Sequence, residues 1–166
     1  METVWSRPGR GIIKVNWDAA LDQQQRRTGM GILARDHDGQ VIAAMCSSKP
    51  FLLDPVSAEA FAAWRMAGFC GLLGARHIVV EGDSLEIVHA LRKDSACWGR
   101  YGNLVDDAKN LLNSIDKWEV QHVKRTGNEA AHTLAKLALS IREEEYWRLE
   151  CPPCIQDLVL AESGNI

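Results

Sequence analysis

Three acidic residues and one histidine have side chains that could bind a metal ion. Asp18 ends an alternating pattern of apolar and polar residues, Glu59 lies within a helical pattern, Asp83 follows a β-branched run, and His132 falls near the start of the last long helical pattern. Hard cations such as Mg2+ take oxygen ligands, whereas imidazole binds Mn2+ and softer ions more readily. We therefore expect metal-assisted chemistry if the fold brings the four together.

Each of these residues also has a purely structural interpretation. An aspartate at the end of a strand, as expected for Asp18, commonly begins a turn. Glu59 can simply flank the apolar stripe of its helix, and Asp83 with Glu86 fits a helix-capping box. His132 can be a packed or solvent-facing helix residue. Taken one at a time, the four positions leave structure and catalysis open.

The elements that must position these side chains follow from the spacing of apolar residues. The Asp38-Gly39 step between two apolar runs is typical of a hairpin, and Asp54-Pro55 is typical of a helix start. The close spacing of Gly29 and Gly31 predicts a near approach of other backbone or of a ligand to the strand. The order is strand (13–18), loop (22–28), strand (29–35), strand (40–45), helix (54–71), strand (77–81), helix (84–91), helix (104–112), strand (118–123) and a helix starting at a Thr126 and Glu129 capping box.

Four stretches carry a resemblance to a known family: residues 14–20, 58–65, 80–84 and 122–135. With the element order, they resemble the ribonuclease H-like superfamily, and most closely the plant ribonuclease H-like domains related to non-LTR retrotransposon polyproteins. The resemblance implies a mixed α/β fold with a central five-stranded sheet, its first three strands antiparallel, flanked by helices. It also implies that the four candidate ligands meet at one end of that sheet.

The chemistry that the resemblance implies is hydrolysis of the RNA strand of an RNA/DNA hybrid with two Mg2+ ions. In that scheme Asp18 bridges both ions, Glu59 serves one, and Asp83 holds the ion that positions the water. His132 stands where familiar ribonucleases H have aspartate, so one ion should bind more weakly and Mn2+ becomes a candidate substitute. Residues 124–127 are also too short for the flexible histidine-bearing loop of many relatives, which puts turnover in question.

Five further residues are candidates for contacting nucleic acid. Arg100, Lys124 and Arg125 are the expected phosphate contacts, and Asn16 and Asn128 lie beside the expected site, where they could contact the backbone. Recognition of a hybrid would rest on its shape and 2′-hydroxyl groups more than on its bases. Arg100 lies in an aromatic and basic loop that could equally well pack against its own helices.

Composition limits the domain organisation and the compartment. The 166 residues are 46% hydrophobic and 25% charged, which suits one core. We expect an irregular lead-in over 1–11, the main domain over 12–145, and a tail over 146–166 that packs on the domain or extends from it. The exposed acidic run 143–145 precedes the tail. We find neither a membrane-length apolar run nor a signal peptide and expect an intracellular protein of the cytoplasm or nucleus.

Charge and cysteine content bear on partners. A formal net charge of -3 is a weak argument against nucleic-acid binding, which usually leaves a basic footprint. Five cysteines suit reduced thiols better than a disulfide framework. The alternative function is therefore a catalytically weak or inactive ribonuclease H-like module that binds nucleic acid or a protein partner, alone or within a larger polypeptide. A third interpretation is a structural domain in which the acidic residues have only local roles.

Overall fold

The computed structural model describes residues 4–164, which form one mixed sheet flanked by helices. The strand order is β5-β4-β1-β2-β3-β6. Strand β1 pairs with β2, β2 with β3 and β3 with β6 in antiparallel fashion, while β1–β4 and β4–β5 are parallel. The elements are β1 (Ile13–Asp22), β2 (Arg27–Arg35), β3 (Val41–Lys49), α1 (Pro55–Leu72), β4 (His77–Gly82), α2 (Leu85–Arg92), α3 (Gly102–Leu112), β5 (Lys117–His122), α4 (Glu129–Ala138), β6 (Glu145–Arg148) and α5 (Gln156–Ser163).

The predicted mixed α/β class with three initial antiparallel strands is confirmed, and β1 is central. The first strand is longer than predicted, however. Asp18 does not end it, because β1 continues to Asp22 and pairs Asp18 with Gly31 of β2. The predicted loop over 22–28 therefore shrinks to a four-residue turn, in which Arg26 adopts a positive φ of 54°. A candidate ligand in mid-strand is held more rigidly than one in a turn.

Helix α4 crosses β2 at the glycines. A Cβ atom at Gly31 would collide with the carbonyl oxygen of Ala131 and the backbone nitrogen of Ala135, and one at Gly29 would collide with the carbonyl oxygen of Ala135. The expected close approach of backbone to this strand is thus confirmed. It matters for the site because α4 carries His132.

The helix starts agree with the sequence at one place and differ at two. Asp54 caps α1, where its Oδ1 accepts from the backbone N–H of Ser57 at 2.9 Å. The Thr126 capping box is wrong, since Thr126 lies in a 3-10 turn over Arg125–Gly127 and α4 is preceded by Asn128. The Asp83 and Glu86 box is also wrong, because Ser84 is the N-cap residue of α2 and makes no side-chain cap bond.

Apolar side chains pack on both faces of the sheet. Val15 and Trp17 of β1 pack into a large cluster that includes α1, α2 and α3. On the opposite face, Leu33 packs with Leu134 of α4 and with Ile155 near the start of α5. The alternation expected for β1 is therefore present, with apolar Val15 and Trp17 on one face of the strand and polar residues on the other. The face that carries Lys14, Asn16 and Asp18 is also buried, and so its polar groups must find partners inside the protein.

The segments that flank the main pattern are packed as well. Residues 145–148 form a sixth strand beside β3, where the sequence analysis expected a five-stranded sheet, an exposed acidic run over 143–145 and a tail from 146. Residues 4–12 form no helix or strand, yet Trp5 is fully buried. Within the described part of the chain, no helix is both long enough and apolar enough to span a membrane.

Candidate active site

Three carboxylates converge at one end of the central strands. Asp18 lies on β1, Glu59 in the first turns of α1, and Asp83 immediately after β4. One oxygen of each lies within 4.8 Å of the other two. The register explains the meeting, because Asn16 of β1 pairs with Glu81 of the parallel strand β4. Two residues further along, Asp18 of β1 and Asp83, just past the end of β4, therefore lie close together.

Two oxygens of this cluster have no partner from outside it. Among residues 4–164, Oδ1 of Asp18 and Oε2 of Glu59 are buried and accept from no other residue, although a protonated Glu59 can donate to Asp18. The other oxygen of Glu59 accepts from the backbone N–H of Ala19 at 3.3 Å. Buried carboxylate oxygens normally have partners, so these two atoms fit ligands for a cation.

The protonation of the cluster reflects its burial and crowding. Burial raises the pKa of Glu59 to about 10, with a further contribution from the negative charge of Asp18. Burial also raises the pKa of Asp18, and the charge of Asp83 acts in the same direction. Like charges in a low-dielectric site resist joint ionisation. A divalent cation would remove that conflict and allow Asp18 and Glu59 to ionise together.

His132 contacts the cluster through Asp18 alone. Its Nδ1 lies 2.8 Å from Oδ2 of Asp18, and it is not among the residues whose ligand atoms all lie within 4.8 Å of one another. When Asp18 is ionised it only accepts, and Nδ1 of His132 is then the donor in this contact. The structure thus places the expected fourth ligand beside the carboxylates, where it holds Asp18 in place.

Arg125 is a positively charged partner of the cluster. Its Nε donates to Oδ2 of Asp83 at 2.7 Å, and its Nη2 lies 3.8 Å from Oδ2 of Asp18. The sequence predicted a phosphate contact for this residue and gave no sign of its contacts with carboxylates. Its side chain remains 48% exposed, so it can reach solvent and ligands from the same position.

Asn16 and Asn128 lie beneath the site instead of at its surface. Both are buried, at 0% and 1% exposure. The Nδ2 of Asn16 donates to Oδ1 of Asn128 at 2.9 Å, and the Nδ2 of Asn128 donates to the carbonyl oxygen of Trp17 at 3.0 Å. Their amides are thus occupied inside the protein. The nucleic-acid contact expected for them is corrected to a structural role.

Arg100 also lies apart from the cluster. It pairs with Asp54 at 3.5 Å, and its side chain is 84% exposed. Lys124 is exposed in the segment before α4, next to Arg125. Of the three predicted phosphate contacts, Arg125 therefore lies at the carboxylates and Lys124 lies beside Arg125 in the chain. Arg100 instead pairs with Asp54 at the start of α1.

A cavity of about 370 Å3 opens between β1, α1 and α4 at this site, and Glu59, Arg125, His132 and Lys136 contribute to its lining. Lys136 was missed in the sequence, although its spacing of four from His132 puts both on one helix face. A larger cavity of about 580 Å3 between α2, α3 and β5 is lined by none of the cluster's carboxylates. The cavity of about 370 Å3 is therefore the one that borders the carboxylate cluster.

The fold and the carboxylate cluster define a ribonuclease H-like protein. A family model described as reverse transcriptase-like matches residues 16–138, and the chain belongs to that family. The match includes all four candidate ligands. No curated protein matches the sequence.

Solved structures agree on the fold. RNase H1 of Halobacterium salinarum is 23% identical, with a TM-score of 0.68 over 78% of this chain and 98% of that chain. The N-terminal RNase H domain of a Mycobacterium tuberculosis protein, solved as a maltose binding protein fusion, is 19% identical with a TM-score of 0.70 over 78% and 94%. LC11-RNase H1, in complex with an RNA/DNA hybrid, is 16% identical with a TM-score of 0.68 over 77% and 96%.

Proposed function

We propose that the protein is a divalent-metal-dependent ribonuclease H that hydrolyses the RNA strand of RNA/DNA hybrids. The observation that carries this proposal is the meeting of Asp18, Glu59 and Asp83, with one buried oxygen of Asp18 and one of Glu59 left without a partner from outside the cluster. A structural cluster would be expected to satisfy those oxygens from within the protein. Membership of the reverse transcriptase-like family and the ribonuclease H-like fold support the same function.

The residues present fit divalent cations. Asp18 and Glu59 would each offer the unpartnered oxygen, and Asp83 would offer a third carboxylate. Two bound Mg2+ ions would supply an activated water and charge stabilisation for the leaving oxygen, and Mn2+ is the proposed substitute because His132 lies beside Asp18. The protein's own part is to hold the carboxylates rigidly, since Asp18 is in mid-strand and is fixed by His132.

Basic residues at the cavity would bind the substrate backbone. Arg125 and Lys136 line it, and Lys124 is exposed next to Arg125. Such contacts with phosphates supply affinity without reading sequence. LC11-RNase H1 was solved with an RNA/DNA hybrid, which supports a hybrid as the substrate class. Discrimination would then come from the 2′-hydroxyl groups and the shape of the duplex.

The second candidate function is a module that binds nucleic acid or a protein partner without cutting. The contacts of Asp18 Oδ2 with both His132 and Arg125 favour it. Arg125 already places a positive charge beside the carboxylates and His132 holds Asp18 in place, which reduces the need for a metal ion. The two functions predict the same fold and the same nucleic-acid surface, and they differ in turnover.

Two finer proposals concern origin and location. The four stretches over 14–20, 58–65, 80–84 and 122–135 support a relationship to plant domains of retrotransposon polyproteins. We also propose an intracellular location, in the cytoplasm or nucleus, because RNA/DNA hybrids would be available there as substrate. Tagged protein expressed in plant cells and imaged with organelle markers would test the location.

The experiment that tests the proposed function is cleavage of a duplex labelled separately on its RNA and DNA strands. We expect cutting of the RNA strand in the hybrid, in Mg2+ or Mn2+, with single-stranded and double-stranded RNA left intact. Hybrid binding without cutting in either metal would favour the second function. Cutting of all RNA forms alike would contradict the hybrid as the substrate.

A further inference from the structure

Trp5 lies outside the matched family region of 16–138, yet it contacts the interior of the site. Its indole is 0% exposed, and Nε1 donates to Oδ1 of Asn16 at 3.2 Å. An indole N–H is only a donor, so it fixes which end of the Asn16 amide is the oxygen. A residue of the N-terminal lead-in thus determines the orientation of a side chain on the central strand.

The orientation of Asn16 sets that of Asn128. With its oxygen facing Trp5, the Asn16 amide nitrogen donates to Oε2 of Glu81 at 3.1 Å and to Oδ1 of Asn128 at 2.9 Å. Oδ1 of Asn128 is therefore occupied as an acceptor. Its own amide nitrogen then faces the carbonyl oxygen of Trp17, to which it donates at 3.0 Å.

Asn128 connects both sides of the contact between Asp18 and His132. Its side chain is bonded to the carbonyl oxygen of Trp17, the residue before Asp18. Its own carbonyl oxygen accepts the backbone N–H of His132 at 3.0 Å. Asn128 therefore joins β1, through its side chain, to the start of α4, through its backbone carbonyl, at the position where Nδ1 of His132 meets Oδ2 of Asp18.

Trp5 is linked to helix α5 through Arg35 of β2. The guanidinium carbon of Arg35 lies 3.7 Å from the centre of the Trp5 ring. Arg35 pairs with Glu162 of α5 at 2.8 Å, and both side chains are buried. A buried pair of this kind is costly unless its geometry is retained. The polar chain thus runs from α5 through Arg35, Trp5, Asn16 and Asn128 to the carboxylate cluster.

We propose that Trp5 is a positioning residue for the site, acting through Asn16 and Asn128 on the geometry between Asp18 and His132. The inference rests on the proposed function only for its effect on catalysis. Partners that orient metal ligands from behind change metal affinity or activity by about 10- to 100-fold when they are lost. The segment that precedes the matched family region therefore contributes to the geometry of the site through Trp5.

The test uses Trp5→Phe, which keeps an aromatic ring beneath Arg35 and removes the indole N–H. Trp118→Phe is the matched control, because Trp118 Nε1 donates to Oδ1 of Asn113 at 2.9 Å in an exposed position. Asn128→Ser is the second variant. Serine keeps a good helix N-cap, but it is too short to reach both Asn16 and the carbonyl of Trp17.

Three readouts separate positioning from stability: the NMR amide resonances of Ala19 and His132 without metal, the dissociation constant for Mn2+, and kcat and KM on hybrid. We expect Trp5→Phe and Asn128→Ser to shift both resonances, to raise the Mn2+ dissociation constant about tenfold, and to lower kcat more than KM changes. Trp118→Phe should leave all three as in the wild type. Thermal unfolding is measured in parallel to show that each variant is folded.

Unchanged amide resonances in both variants, with Mn2+ dissociation constants within about twofold of the wild type, would overturn the inference. A wild-type protein that neither binds Mn2+ nor cuts hybrid would instead overturn the proposed function. In that case the resonances still decide whether Trp5 positions His132 relative to Asp18.

Discussion

Arg125 donates its Nε–H to Oδ2 of Asp83 at 2.7 Å, so a protein cation lies against a carboxylate that is a candidate metal ligand. The same guanidinium approaches Oδ2 of Asp18 at 3.8 Å. A divalent ion and Arg125 therefore compete for the negative charge of the cluster. Arg125 is half-exposed and lies next to Lys124, which also lets it contact a phosphate when substrate is present.

Replacing Arg125 should separate these two effects. In Arg125→Gln we expect divalent ions to bind about two- to fivefold more tightly, the range of a screened ion pair. Hybrid binding should weaken. The slope of the logarithm of the binding constant against the logarithm of the salt concentration should decrease in magnitude by about one, as expected for a lost phosphate contact. Calorimetry with Mn2+ and a salt titration of hybrid binding measure the two. Arg142→Gln, at an exposed position, is the matched control, and equal behaviour of the two variants would contradict the assignment.

Stability without metal should fall as pH rises. The pKa of Glu59 is raised by burial to about 10, so the folded protein retains a proton that the unfolded chain releases near the ordinary glutamate pKa of 4.5. The contribution is fully present below the unfolded pKa and is lost as pH rises towards the folded one. The slope approaches about 1.4 kcal/mol per pH unit for one proton.

Urea unfolding in EDTA between pH 5 and 9 measures this dependence. Glu59→Gln should be less dependent on pH, because its side chain cannot ionise. Divalent ions should bind the wild type more tightly at higher pH, since binding displaces the proton of Glu59. A pH dependence that is identical in the two proteins would show that Glu59 ionises normally in the folded state.

His132 holds Asp18 through Nδ1, and its replacement by aspartate should have opposite effects on the two forms of the protein. His132→Asp adds a like charge beside Asp18, so the metal-free protein should lose about 1–3 kcal/mol of stability. Mg2+ should restore stability and support faster cleavage than in the wild type. Thermal unfolding with and without Mg2+ checks this, and His132→Asn separates the lost hydrogen bond from the added charge. Lower Mg2+ affinity in His132→Asp than in His132→Asn would contradict this account.

Much of the fold could be predicted from local patterns. The apolar spacing after Asp54 located α1, and the Asp-Gly step located the β2–β3 hairpin. Strand β6 was missed because Glu145 follows two other glutamates, and its pairing with β3 is a long-range contact. The local charge predicted an exposed surface. An edge strand such as β6 is also exposed, so charge alone does not distinguish the two.

The site was predictable as a set of residues but not as a network. Asp18, Glu59 and Asp83 converge as the resemblance implied. The roles of Asn16 and Asn128 could not be found, because their hydrogen bonds join positions 112 residues apart in the chain. No spacing rule covers such a contact. Trp5 was missed for the same reason, since a single aromatic residue in an irregular segment carries no periodic signal.

The packing of α4 on β2 depends on Gly31. Gly31→Ala should destabilise the protein by about 1–3 kcal/mol, the usual cost of overpacking, because the added Cβ meets the backbone of Ala131 and Ala135. Gly68→Ala is the matched control. Nothing lies within 4 Å of a Cβ at that helical position, so this change should stabilise by about 0.5–1 kcal/mol. Urea denaturation measures both, and equal effects would show that α4 can shift without cost.

The central claim is that the carboxylate cluster performs the cleavage of an RNA/DNA hybrid. The most direct measurement compares hybrid cleavage by wild type, Asp18→Asn and the exposed control Asp157→Asn, each in Mg2+ and in Mn2+. We predict that Asp18→Asn retains its fold and loses cleavage by more than about a hundredfold, while Asp157→Asn cuts like the wild type. Cleavage that is unaffected by Asp18→Asn, or no cleavage by folded wild-type protein in either metal, would contradict the claim.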